Sequence, residues 1–308
     1  MQLRHLRYFV RIVEAGSFSR AASLVHVAQP ALSQQIGELE TELGVLLLER
    51  SARGVTPTEE GRILYQHACS ILRQVEQLPD LVRAGRGDPA GVVSLAMAST
   101  LASRLAAPFV LECRTALPKV SLQIVTGDSL HLRERLANSK VDLALLFEEA
   151  PAPGRHCRPL FRQRLHLVQR SDQASGVEEI ALGDLALIPL VLAVRPNVTR
   201  AVLDRALDRA GVVPDIAVEA DAFSSLFEAV QAGLGGAVLP VSGAEAFRGG
   251  PALRLRAITP PLYLVASLHT SAEPSGSPAV AAVGDRLAAF VLAAVRSGTY
   301  AGGEPLED

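Results

Sequence analysis

One stretch, residues 17–61 (SFSRAASLVHVAQPALSQQIGELETELGVLLLERSARGVTPTEEG), constrains the fold of this chain more than any other. Its spacing predicts a helix, a tight turn, a second helix and a β-wing, a layout that can seat one helix in the major groove of double-stranded DNA. Upstream, Leu3, Leu6, Phe9, Val10 and Val13 recur at three and four and form the apolar face of an amphipathic helix. Gly16-Ser17 breaks that helix. Ser19 is a candidate N-cap for the next, and Ala21 and Ala22 let a neighbouring helix approach closely. The third helix starts at Pro30, where a missing N–H costs nothing, and Leu32, Ile36, Leu39 and Leu43 are its expected buried face.

The opposite face of that helix carries Pro30, Ser33, Gln34, Gly37 and Thr41. It is short, polar and nearly free of charge. Gln can bond adenine bidentately, Ser can bond several base edges, and Pro can meet a thymine methyl. Beyond it, the run from Val45 to Leu48 and the return at Gly54-Val55-Thr56 predict the wing. Arg53 at its turn and Arg50 at its strand end are placed to reach a phosphate or a minor groove. One expectation is not met: residues 1–61 hold six Arg and no Lys against seven Glu, a near-neutral balance for a DNA-binding head. Phosphate contacts then fall to Arg4, Arg20, Arg50, Arg53 and Arg62 and to backbone amides at helix starts. Modest affinity per head would be raised by dimerisation.

After the wing, Thr58 can N-cap a long helix whose Glu59 and Glu60 favour its dipole. Leu64, Ala68, Ile71, Val75, Leu78 and Val82 recur with a 3.5-residue period and predict a dimer seam, the alternative being packing on the chain's own body. Pro79 is expected to kink or end the helix, and Gly85, Gly87, Asp88-Pro89 and Gly91 to form a hinge.

From residue 92 strand and helix signals alternate. Strands are expected at 92–97, 120–126 and 141–147, with helices at 101–116 and 129–138, a βαβαβ unit with a parallel sheet. The pattern resumes with strands at 187–194, 216–219 and 236–239 and helices at 197–210 and 223–232. A strand at 262–268 and a helix at 278–295 would return to the first lobe, and the tail GTYAGGEPLED is expected to be disordered. Ligands in such folds sit at the C-terminal strand edges between lobes. That selects Ser99, Thr100, Thr126, Gly127, Asp128 and Ser129 from one lobe, and Arg195, Asn197, Thr199 and Ser224 from the other. Hydroxyls at helix N-termini and Arg195 suit a carboxylate, whereas Asp128 suits an ammonium group.

At 308 residues, 49% hydrophobic and with net charge −2, the chain can build two or more cores. No run of eighteen apolar residues predicts a membrane span, and MQLRHLRYF is not a signal peptide, so a cytoplasmic protein with no membrane partner is expected. Cys69, Cys113 and Cys157, odd in number and far apart, read as reduced thiols. No Walker sequence, GxGxxG after a strand, GxSxG elbow or metal-spaced His and Cys set is found, which argues against an enzyme and against a metal or other cofactor.

The head resembles the winged helix-turn-helix of LysR-type transcriptional regulators. The residues that carry the resemblance are Leu6, Phe9, Gly16-Ser17-Phe18-Ser19, Ala21-Ala22, Gln29-Pro30-Ala31-Leu32-Ser33, Ile36, Leu39-Glu40, Leu43-Gly44, Leu48, Arg50 and Thr56-Pro57-Thr58-Glu59-Glu60-Gly61. Within the family, VAQPALSQQIGELE followed by RGVTPTEEG resembles the nitrogen-assimilation-control branch. The resemblance implies an α/β protein with an N-terminal winged helix-turn-helix (1–60), a long linker helix and hinge (61–91), and a two-lobed periplasmic-binding-protein-like effector domain (92–297). Lobe I would hold 92–162 and 266–297, lobe II 163–265, and 298–308 would be the tail. It places Gln29, Pro30, Ser33 and Gln34 toward an operator with an interrupted dyad and Arg53 in the wing. It also implies a homo-dimer or tetramer, RNA polymerase as partner, and either a small effector or action without one. The alternative from another class is a cytosolic solute-binding sensor that does not regulate transcription.

Overall fold

The computed structural model describes residues 1–306 apart from 52–53, 85–88, 152–153, 155, 175–176, 242–251 and 272–276. The chain divides into two compact units, residues 1–86 with 135–141, and residues 87–134 with 142–308.

In the first unit α1 (Leu3–Ala15), α2 (Phe18–Val25) and α3 (Gln29–Leu43) close on a core that includes Phe9, Ile12, Phe18, Ala21, Leu32, Ile36 and Leu39. Ser17 caps α2 in place of the expected Ser19: its backbone is extended and its Oγ accepts from Arg20 N at 3.5 Å, whereas Ser19 already lies inside the helix. Leu43, expected in the core, is exposed because it is the last helical residue; beyond the left-handed Gly44, Leu47 fills a core position. The wing pairs β1 (Leu48–Ser51) with β2 (Gly54–Pro57) in antiparallel fashion. Val55 N donates to Gly16 O at 3.0 Å, so β2 docks on the turn between α1 and α2. Gly54 permits that approach, since a Cβ there would lie 2.7 Å from Gly16 O and φ is +126°.

The long helix α4 (Glu59–Ala84) starts as expected at Thr58, whose Oγ1 accepts from Gly61 N (3.0 Å) and donates to Leu46 O (2.7 Å). It does not end at Pro79; the flanking turns carry it on to Ala84 despite the missing bond. The periodic stripe is divided. Ala68 is buried against Leu6 and Val10 of α1, and Leu64 packs with them, so these two residues serve the chain's own core and are not free for a seam. Ile71, Leu78 and Val82 remain exposed, and Val75 is half-buried.

In the second unit β3 (Gly91–Ala98), α5 (Ser99–Ala116), β4 (Val120–Gly127), α6 (Ser129–Ala137) and β5 (Leu143–Glu148) follow as anticipated, with β4-β3-β5 parallel. Next comes β6 (Cys157–Arg170), a 14-residue strand with no counterpart among the expected elements. The second lobe adds β7 (Glu179–Ala181), β8 (Leu190–Ala193), α7 (Val198–Ala210), β9 (Ile216–Ala220), α8 (Phe223–Gln231), β10 (Gly236–Pro240) and β11 (Leu253–Thr259). β12 (Tyr263–Thr270) returns antiparallel to both β5 and β6. The last helix, α9 (Pro278–Arg296), is long and apolar enough to cross a membrane by composition. Its apolarity is used internally, because Val283, Leu287, Ala288 and Val291 are buried in the lobe core.

The tail, expected to be disordered, is ordered over its described residues, 298–306. Tyr300 is buried edge-on against Phe161, and its hydroxyl donates to Gln163 Oε1 at 2.9 Å. β13 (Gly303–Pro305) then pairs with β6. Tyr300→Phe keeps the ring and deletes that buried hydrogen bond, and should cost about 1–3 kcal/mol in urea unfolding. An unchanged midpoint would show that the hydroxyl contributes nothing.

Candidate nucleic-acid interface and effector cleft

On α3 the residues singled out for base contact, Gln29, Pro30 and Gln34, are exposed, and Ser33 is half-buried. They share the surface opposite Leu32, Ile36 and Leu39. Arg50 of β1 lies beside them: it donates to Ser33 Oγ at 2.9 Å and stacks over the Phe18 ring at 4.3 Å. The wing strand and α3 are thereby joined through a guanidinium at the surface. Arg20 is exposed on α2, near the Gly16 turn. Arg53 lies outside the described residues.

Sequence reasoning missed what orients this surface. The Glu40 carboxylate at the end of α3 accepts from Leu47 N (2.8 Å) and Leu48 N (3.3 Å), the amides that lead into β1. An acid at that position is the legible signal, because it follows Leu39 out of the buried stripe yet reaches back to orphan amides. Gly61 sets the approach from the other side, since a Cβ there would lie 2.0 Å from Leu47 O.

The second candidate site is the cleft between the two lobes of the second unit, about 720 Å³ including its open mouth. Ser99, Thr100, Gly127, Asp128 and Ser129 line it from one lobe, and Asn197 and Thr199 from the other. Phe147, Phe223 and Leu226 form apolar walls. Thr126 and Ser224 are exposed and do not line it. Two residues bridge the lobes: Asn197 Nδ2 donates to Asp128 Oδ2 at 2.6 Å, while Asp128 Oδ1 accepts from Leu130 N at 2.8 Å. The Ser129 hydroxyl is buried and accepts from Phe147 N at 3.0 Å, a structural duty.

Arg195 does not face the cleft as expected. It is exposed, and its guanidinium is drawn to Asp204 at 2.7 Å. The cationic lining residue is Arg200, which is 2% exposed. It donates to Asp204 Oδ1 (2.7 Å), Glu219 Oε1 (2.7 Å) and Ala193 O (3.1 Å), so its buried charge is compensated. Burial raises the Asp204 carboxyl, but Arg195 and Arg200 outweigh it and hold it below the usual carboxylate range. The Arg200–Asp204 spacing of four on a helix was the available signal.

Profiles of two families match the chain. "Bacterial regulatory helix-turn-helix protein, lysR family" covers residues 3–62, and "LysR substrate binding domain" covers residues 86–291. The chain belongs to the LysR family. It is a transcriptional regulator with a DNA-binding head and an effector-type domain. Among its relatives, the nitrogen assimilation regulatory protein nac of Klebsiella aerogenes is 38% identical over 94% of this chain and 95% of its own length. The Escherichia coli protein of the same name is 36% identical over 96% and 97%. Among solved structures, full-length CbnR complexed with its target DNA is similar with a TM-score of 0.65 and 25% identity, covering 94% of this chain and all of that one. A full-length OxyR variant from Pseudomonas aeruginosa gives 0.68 and 25%, covering 93% and 94%.

Glu40→Ala should loosen the wing of this LysR-type head by leaving two amides without their charged acceptor. About 1.5–3 kcal/mol of stability should be lost in thermal or urea unfolding. A stability equal to wild type would remove Glu40 from the account.

Proposed function

We propose that this regulator binds an operator with an interrupted dyad through α3. Gln29, Pro30, Ser33 and Gln34 meet base edges, while Arg20, Arg50 and Arg53 hold the backbone. The observation that carries the reading is Arg50 bonded to Ser33, which sets a cation beside a hydrogen-bonding helix face where Gln34 in turn donates to Glu38 at 2.9 Å. The face reads bases and the cation positions it on phosphate, the division of labour that specific recognition requires. CbnR, similar over 94% of this chain, is known with its target DNA bound.

Assembly as a dimer or tetramer through the exposed part of α4, formed by Ile71, Leu78 and Val82, would give the two heads that a dyad needs. The cleft would take a small anionic or amino-acid-like effector. Helix starts at Ser99, Ser129 and Val198 favour the anion, and Asp128 favours an attached ammonium group. The protein would work in the cytoplasm with RNA polymerase as a partner.

Gln34→Ala should weaken cognate binding by about 1–3 kcal/mol and leave binding to random DNA nearly unchanged. The measurement is a paired titration on a genomically selected fragment and a scrambled one. Equal loss on both would sink base reading by Gln34.

Ile71→Asp places a charge where the stripe is exposed in the single chain. It should leave the protomer folded and dissociate the assembly, read by sedimentation. An unchanged sedimentation coefficient would put the seam elsewhere.

A further inference from the structure

We infer that Glu148, Cys157 and His269 form a binding site for a divalent zinc-type cation in the first lobe. The three residues come from three adjacent strands. Glu148 ends β5, Cys157 opens β6, and His269 of β12 is the register partner of Cys157. Their ligand atoms converge on one point. His269 Nε2 lies 3.0 Å from Glu148 Oε2, Cys157 Sγ lies 3.8 Å from His269 Nε2, and the same Sγ lies 3.9 Å from Glu148 Oε2.

Those separations match one face of a zinc tetrahedron. Bonds of about 2.3 Å to sulfur and about 2.0–2.1 Å to nitrogen and oxygen set ligand atoms about 3.6 Å apart for S–N and S–O and about 3.4 Å for N–O. Each observed edge is within about 0.4 Å of those values, a distance that side-chain rotation covers. Thiolate, imidazole and carboxylate together are the donor set that zinc prefers, and they exclude magnesium and calcium, which take oxygen.

The surroundings support the assignment. Arg133 of α6 donates to Glu148 Oε1, which leaves Oε2 turned toward the other two donors, the kind of outer-shell hold that orients a ligating carboxylate. Arg133 is a like charge for the cation, but its side chain is 47% exposed and therefore screened by water. Glu148 is buried, the His269 side chain is only 12% exposed and Cys157 is half-buried, so entry and a fourth, water ligand would come from the side of Cys157. On binding, the Cys157 thiol gives its proton to water and the thiolate takes the metal. The carboxylate is already anionic and the imidazole binds as the neutral base, so a 2+ ion meets two negative ligands. Phe147, next to Glu148, lines the cleft and donates to Ser129, so the ion would stiffen that wall.

The test uses the full chain stripped with a chelator and titrated with Zn²⁺ by calorimetry and with Co²⁺ by absorption. One equivalent per chain and a thiolate-to-cobalt charge-transfer band are expected. Cys157→Ser should abolish the band, while Cys69→Ser and Cys113→Ser keep it. His269→Gln should weaken Zn²⁺ binding by more than about 100-fold, beyond the roughly 10- to 100-fold that loss of an outer-shell partner costs. A readout on the unmodified chain guards against a variant that fails to fold: Zn²⁺ should protect Cys157 from iodoacetamide, as measured by peptide mass. Binding well below one equivalent, a band that survives Cys157→Ser, or alkylation of Cys157 at the same rate with and without Zn²⁺ would each overturn the site. None of these outcomes depends on the DNA-binding reading.

Discussion

The second unit depends on one strand. β6 is long enough to serve both lobes: residues 157–164 pair with β12, and residues 165–170 continue into pairings with β10 and β11. β13 joins it as well, opposite Phe161 to Gln163. Because its backbone groups are claimed on both edges over much of its length, the two lobes are tied through hydrogen bonds and not by apolar contact alone. Its buried polar residues follow from this position. Gln163 is wholly buried, yet its Nε2 donates to Ala301 O at 3.3 Å and its Oε1 accepts from Tyr300. The last residues of the described chain are therefore drawn into the sheet.

β6 is also where the sequence is least legible. Buried and half-buried positions alternate through Gln163, Leu165 and Leu167, but Arg158, Arg162, Arg164, His166 and Arg170 give the stretch a charged look that strand patterns usually lack. Several of those arginines lie along the sheet surface, as Arg162 does over Tyr263 and against Glu304. The βαβ segments were readable because each buries a plain apolar run between turn residues. The tail misled for the opposite reason: Gly, Pro and acidic residues make up seven of the eleven residues of GTYAGGEPLED, and a single Tyr supplies the anchor.

In the candidate sites, legibility follows distance along the chain. The rule that ligands meet strand ends located Ser99, Thr100, Gly127 and Ser129, because each follows a readable strand. It selected Arg195 and left out Arg200, which lines the cleft. Arg195 is instead exposed and paired with Asp204, and the partners that hold Arg200 lie on α7 and β9. The periodicity of α4 was read correctly as a stripe, but a stripe does not state which neighbour it meets, and α1 claims its first two members. Glu148, Cys157 and His269 share no spacing at all; the sheet register sets Cys157 opposite His269, and the Glu148 side chain, from a position opposite Val265, reaches that pair.

The cleft carries a constraint of its own. Four helices, α5 to α8, begin around it, and their amides favour negative charge. Asp128 already supplies one negative group there, taking Leu130 N at the start of α6 and Asn197 at the start of α7. The carboxylate thus occupies, from within the chain, part of the field that would draw a free anion. It also links the lobes, since Asp128 and Asn197 belong to opposite sides. A guest carrying only a carboxylate has to compete with Asp128 for those donors and accept repulsion from it. A guest with an ammonium group beside its carboxylate, the class proposed above, would meet Asp128 as a partner. On the proposed effector reading, charge complementarity would favour an amino acid over a simple organic acid through Asp128, because the charge of Arg200 is already matched by Asp204 and Glu219.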